Sequence, residues 1–234
     1  MSAFTSTWSK EFKDYFVSPI AYMVIAIFLL VTGWFFFSTF FLQDQASLRS
    51  FFNLLPITFA FVIPALTMRL FAEEFNVGSY EILITMPVSP VQIILSKFLA
   101  AVCMVAAMLL PTLAYAAFVA WLGDLDPGPV IGGYLGSLLL GGSFAAIGLF
   151  TSALTKNQII AYILGALCCF ALTLINQMLF FVPSGIMELV QYLAASYHFQ
   201  NIAKGVIDTR DVLYFASVIF LGLYLTTIAI QARE

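Results

Sequence analysis

The chain has 234 residues, of which 62% are hydrophobic, 16% aromatic and only 9% charged, and its formal charge is −3. Soluble domains carry about 25% charged residues, so 9 Lys and Arg with 12 Asp and Glu cannot coat a globule of this size. A water-soluble enzyme is excluded, the missing basic surplus excludes a nucleic-acid partner, and the chain reads as an all-α integral membrane protein.

The first element expected is a helix over residues 4–16. At 100° per residue from Phe4, Trp8 falls near about 40°, Tyr15 near about 20°, Phe12 near about 80° and Phe16 near about 120°. Lys10, Lys13 and Asp14 fall on the opposite side. An apolar stripe with a charged back is the pattern of a helix lying in the membrane interface. It serves either as an anchor or as a connection that carries movement into the first span.

A helix needs about 20 apolar residues to cross the bilayer. Six runs qualify: residues 20–42, 54–70, 92–121, 130–154, 158–182 and 212–230. The first run is longer than the 7–15 residues or so of a signal-peptide core and reads as an anchor. With the N-terminus inside, the inner loops hold Lys10, Lys13, Arg69, Lys97, Lys156 and Arg233, against Arg49, Lys204 and Arg210 outside. That excess places both termini in the cytoplasm.

Between the second and third spans lies a cytoplasmic loop, residues 72–91, that carries Glu73, Glu74 and Glu81. An acidic loop gains nothing from the anionic inner leaflet, which attracts Lys and Arg. Gly78 permits a turn, Ser79 and Glu81 can start a helix, and Pro87 and Pro90 are expected to stop it. Beyond it, Lys97 is the deepest charge and is expected to snorkel to the cytoplasmic surface.

Pro56 and Pro64 in the second span and Pro111 in the third are hinge candidates. In the fourth span Gly133, Ser137, Gly141 and Ala145 recur at i+4 steps. Small residues at that spacing let helices approach closely, either inside the subunit, the favoured reading, or at a seam between subunits. Residues 183–211 form a mixed outer segment in which Ile186, Leu189, Val190 and Leu193 keep helical spacing. No internal repeat is visible, and the chain reads as one domain.

Chemistry-bearing patterns are missing. Cys103, Cys168 and Cys169 sit in spans without ligand spacing and read as small buried side chains. His198 has no metal-binding motif around it and reads as structural. Ser143 lacks a nucleophile-elbow frame, no pair of aspartates lies in the spans, and no P-loop occurs. No acid, His or Arg lies near a midplane, so coupling to an ion gradient is not expected. Neither a catalytic residue nor a cofactor or metal site is expected in this chain.

The sequence Glu74, Gly78, Ser79, Glu81, Leu83, Pro87, Val88, Ser89, followed by Lys97, resembles the corresponding loop of ABC-2 type transporter permeases. Residues Tyr15 to Tyr22, Thr155 to Gln158 and Gly205 to Asp211 are similar to the gliding-motility-associated subfamily of these permeases. Two departures stand out: Ser79 where Thr is common, and Ser96 where Gly is common.

The resemblance implies a six-helix, type V exporter-like permease of the bacterial inner membrane, with short helices between spans five and six that dip back from outside. It implies separate ABC ATPase subunits, which would hold ATP and Mg, and a second permease copy or homologue. An auxiliary extracytoplasmic protein also fits. The docking surface it implies is Glu73, Glu74, Phe75, Gly78, Ser79, Tyr80 and Glu81, with Lys156 and Asn157 as a smaller contact. The expected function is ATP-driven export or extraction of a lipidic or amphipathic cargo. The alternative is a non-transporting scaffold or mechanotransmission subunit in a motility or cell-envelope complex.

Overall fold

Backbone groups inside a bilayer have no water to bond, and a helix satisfies them internally, so each apolar run becomes helical. The computed structural model describes residues 3–43, 47–84, 89–178 and 187–232. Among these residues the order is α1 (Ala3–Val17), α2 (Pro19–Gln43), α3 (Arg49–Thr67), α4 (Arg69–Val77), α5 (Ser79–Ile84) and α6 (Pro90–Leu109). A 3₁₀ turn (Leu110–Thr112), α7 (Leu113–Leu122), α8 (Pro127–Leu154), α9 (Gln158–Met178), α10 (Met187–Tyr192), α11 (Ala195–Ala203) and α12 (Thr209–Gln231) follow. Six stretches are long and apolar enough to cross a membrane: Ala21–Phe40, Arg49–Val77, Pro90–Leu122, Pro127–Leu154, Gln158–Met178 and Thr209–Gln231.

The spans begin where polar caps allow. Ser89 Oγ accepts from the Gln92 amide and Gln92 Oε1 from the Ser89 amide, which forms a capping box with Pro90 in the first turn of α6. Pro90 also starts a helix, because the first helical position has no use for its N–H. Asp126 caps α8 ahead of Pro127, and Asp208 caps α12. The expected roles of Pro87, Val88 and Ile186, and the last residues of the fifth span, lie outside the described residues.

The prolines act unequally. Pro56 and Pro64 sit inside α3 without ending it, whereas Pro111 coincides with the 3₁₀ turn that divides the third span. The Tyr134 hydroxyl donates to the Thr112 carbonyl there at 2.9 Å and braces the break from α8.

Helix α8 is the axis of the bundle. Its most apolar window is 72% buried, against 22% for the windows in α2 and α12. The stripe of small residues explains why. A side chain at Gly133 would overlap the Phe52 ring on α3, and one at Gly141 would overlap Val105 on α6. Ser137 and Ala145 are fully buried. On another face, Gly132 and Gly136 admit Ile202 and Phe199 of α11, and Ala146 stands against Gly222 of α12. Gly133 and Gly141 of the stripe meet α3 and α6 of the same chain.

Many of the 25 phenylalanines also belong to this interior. Phe28, Phe36, Phe51, Phe59, Phe71, Phe144, Phe199 and Phe215 are fully buried. Among the cysteines only Cys169 is buried; Cys103 is half-buried and Cys168 exposed. That corrects the expectation for Cys103 and Cys168 and agrees with it for Cys169.

Alternation of the spans gives the bundle two ends. Residues near 47–53, 124–130 and 200–204 surround a 490 Å³ cavity at one of them, which includes Arg49, Asn53, Asp124 and Lys204. There α10 and α11 fold onto α9, α8 and α12. His198 is the tie between them. Its Nδ1 lies 2.6 Å from Asp211 Oδ1 and its Nε2 2.9 Å from the Tyr192 carbonyl. Its ring stacks on Tyr214 at 4.1 Å, so the structural reading of His198 fits what surrounds it. Helix α1, α4, α5 and the start of α6 gather at the other end.

Candidate functional site

The second span does not stop at Leu70, as the hydropathy suggests, but runs on into α4. Leu70, Phe71 and Ala72 are buried there. Gly78, with φ 78°, ends α4 in the left-handed region, where a side chain would be strained. The chain then turns into α5. Tyr80 folds back so that its ring meets Phe75 at 4.9 Å and Phe71 at 6.2 Å. The result is an elbow of two short helices with an aromatic hinge-pin.

An ionic triad fastens this elbow to the bundle. Lys97 Nζ on α6 donates to Glu74 Oε1 on α4 at 2.6 Å and to both oxygens of Glu11 on α1 at 3.1 Å. The Lys97 side chain is only 1% exposed, against 8% for Glu11 and 19% for Glu74. The ammonium also lies 5.3 Å from the centre of the Phe71 ring. One buried cation thus joins three elements from distant parts of the sequence, and Glu74 Oε2 is buried without a hydrogen-bond partner among the described residues. Lys97 does not snorkel to the surface. Two carboxylates supply inside the protein what water would supply outside.

Around the triad, Arg69 Nε pairs with Glu73 at 2.8 Å and Arg69 Nη1 donates to Ser18 Oγ at 2.8 Å. The Tyr15 hydroxyl donates to the Leu66 carbonyl at 3.2 Å. Burial pushes the Tyr15 hydroxyl pKa up, with the Glu11 charge adding to it, so it stays a donor. These groups line a 280 Å³ cavity that carries Glu11, Asp14, Glu73 and Glu74 against Arg69 and Lys97. Glu11 and Tyr15 point inward from the stripe of α1, while Lys10, Lys13 and Asp14 are exposed. Helix α1 therefore packs on α6 and α2 and joins the bundle rather than only resting on lipid.

A second fastening comes from α8. Ser152 Oγ donates to the Met68 carbonyl at 2.8 Å and accepts from the Phe71 and Ala72 amides, each at 3.0 Å. Its hydroxyl stands at the break between α3 and α4.

The expected docking residues divide accordingly. Gly78, Ser79 and Glu81 are exposed, together with Asn76 and Val77. Glu73 is half-buried on Arg69, Phe75 is half-buried, and Tyr80 is buried. Glu74 turns inward to Lys97. Lys156 and Asn157 are exposed on the turn before α9, where Asn157 Oδ1 accepts from the Ile159 amide.

Glu11 and Ser152 were not among the expected functional residues. Glu11 was findable: it lies about 20° from Phe4 on the helical wheel, a carboxylate inside the apolar stripe. Among the described residues no group of three or more His, Cys, Asp or Glu is placed to hold a metal ion.

A membrane bundle of six spans whose one end carries a helical elbow fits a transport subunit, and comparison with protein families agrees. The model of a family described as ABC-2 family transporter protein matches residues 37–230. The chain belongs to that family. Its members are membrane subunits of transporters, not themselves catalytic, and normally work with ABC ATPase subunits. Among curated proteins none matches the chain.

Proposed function

We propose that the chain is the permease subunit of an ATP-driven transporter of the bacterial inner membrane, with both termini cytoplasmic and the α4–α5 elbow as the contact for its ATPase. The observation that carries this reading is the elbow's double attachment. It offers an exposed tip at Asn76–Ser79 and Glu81, while its inner face is tied through Lys97 to α1 and α6. A push on the tip therefore reaches α1 and the second and third spans together. Lys156 and Asn157 add a smaller contact. A second permease copy completes a central pathway, and the absence of midplane charge among the described spans suits a lipidic or amphipathic cargo. The resemblance at Tyr15 to Tyr22, Thr155 to Gln158 and Gly205 to Asp211 supports the gliding-motility-associated subfamily.

Charge reversal tests the contact. Glu81→Lys is expected to lower recovery of the co-expressed ATPase at least about tenfold, because like charges across an interface cost more than the roughly 1.4 kcal/mol of a tenfold change. Glu188→Lys, on exposed α10 at the opposite end, leaves recovery unchanged. Equal recovery with both variants would remove Glu81 from the interface. Glu74→Lys is the wrong test, since it sets a second cation against Lys97. Should the ATPase bind but move no cargo in vesicles, the scaffold reading replaces transport.

A further inference from the structure

The Ser152 hydroxyl occupies an unusual place. In an unbroken helix the Ala72 N–H bonds the Met68 carbonyl, four residues back. Here the donor and the acceptor are both taken by Ser152 Oγ, and Phe71 N–H bonds it as well. A serine hydroxyl has one proton to give and two lone pairs to accept, and all three are used. A side chain inserted into the helical ladder is an established cause of a kink. The neighbourhood is built for close approach: Gly148, one turn before Ser152, has the Thr67 side chain where its own would stand.

The alternative arrangement gives a new partner to each group that Ser152 now holds. If Ser152 withdraws, Ala72 N–H can close on the Met68 carbonyl and Phe71 N–H on that of Thr67. Ser152 Oγ can then donate to a carbonyl three or four residues back on α8, as Ser137, Ser143 and Thr151 already do on that helix. Two alternative hydrogen-bonded arrangements of one junction make a discrete two-state element.

The geometry points to Ser152 as a removable wedge: inserted, it bends the second span between α3 and α4; withdrawn, it lets the span straighten and swings the α4–α5 elbow. Ser152 is then a positioning residue for the coupling motion, an assignment that rests on the elbow being the ATPase contact. A change in bend of about 20° over nine-residue α4, about 13 Å long, moves its tip by about 4–5 Å.

The test uses the full chain in lipid nanodiscs, with spin labels introduced bio-orthogonally at Val77 and Leu154, both exposed. Ser152→Ala is expected to shift the mean distance by several ångströms and to keep the melting midpoint within a few degrees, because the ladder closes behind it. Ser152→Thr, which restores the hydroxyl, is expected to return the wild-type distribution. An unshifted distance in Ser152→Ala overturns the wedge, as does failure of that variant to fold, which would mean that the ladder cannot close. A shift that Ser152→Thr fails to reverse also overturns it. The measurement needs no ATPase, so a shifted distance with no ATPase contact at the elbow keeps the wedge and removes the reading it serves.

Discussion

Lys97→Met is expected to destabilise the protein by about 3–5 kcal/mol, because it leaves two buried carboxylates facing each other without their cation. Glu11 and Glu74 would lose the ammonium that now reaches them at 3.1 and 2.6 Å, and α1 would lose its ionic tie to α6. At about 2–4 °C per kcal/mol for a chain of this size, the apparent melting midpoint in detergent should fall on the order of 10 °C. Replacing all three members together, Glu11→Leu with Glu74→Leu and Lys97→Met, should recover most of that loss. Removing a whole buried charge set is often neutral, whereas breaking one is not. A single variant that melts with the wild type would show that water reaches the triad. The triple variant is the more useful one for function: it is expected to fold while lacking the ionic link between the elbow, α1 and α6.

The second large effect is expected at Gly132. A methyl there would overlap the Ile202 carbonyl oxygen on α11, and backbone cannot rotate aside as a flexible side chain can. Gly132→Ala should therefore part α11 from α8 and cost about 1–3 kcal/mol. Ten residues further along, the new methyl of Gly142→Ala would meet Ile219 Cδ1 at 3.4 Å, an ordinary contact with a movable tip. That variant should be neutral or slightly stabilising, since alanine is the better helix former by about 1 kcal/mol. Melting of the two variants side by side reads the difference. Equal midpoints would mean that α11 does not seat against α8.

These two cases also show what the sequence could and could not disclose. Six spans were legible because a bilayer sets helix length, and capping residues such as Asp126 and Asp208 agree with hydropathy at the starts. Pro90 reads as a limit to the loop helix, and that it also opens α6 is told only by the capping pair Ser89 and Gln92. The small residues of α8 announced close packing, yet not with which helix; Phe52, Val105 and Ile202 come from three different elements.

The site was legible as a surface and not as a machine. Gly78 and the acids around it marked the elbow. Tyr80 and Glu74 face inward because of partners on the other side of the α4–α5 turn and on α6, which no local pattern reports. Lys97 pairs with Glu11 across 86 positions, so its burial could not be inferred from its place at the start of a span. Ser152 carries no signal at all in one dimension, since a serine in a membrane helix ordinarily bonds its own backbone.

The central claim, that the ATPase engages the α4–α5 elbow, is tested most directly by photo-crosslinking from Val77 and Ser79 in membranes that contain the chain and its ATPase subunit. The account predicts strong ATPase adducts from both positions, weaker ones from Lys156, and none from Glu188. Adducts absent at Val77 and Ser79 while the ATPase remains bound and crosslinks elsewhere would contradict it.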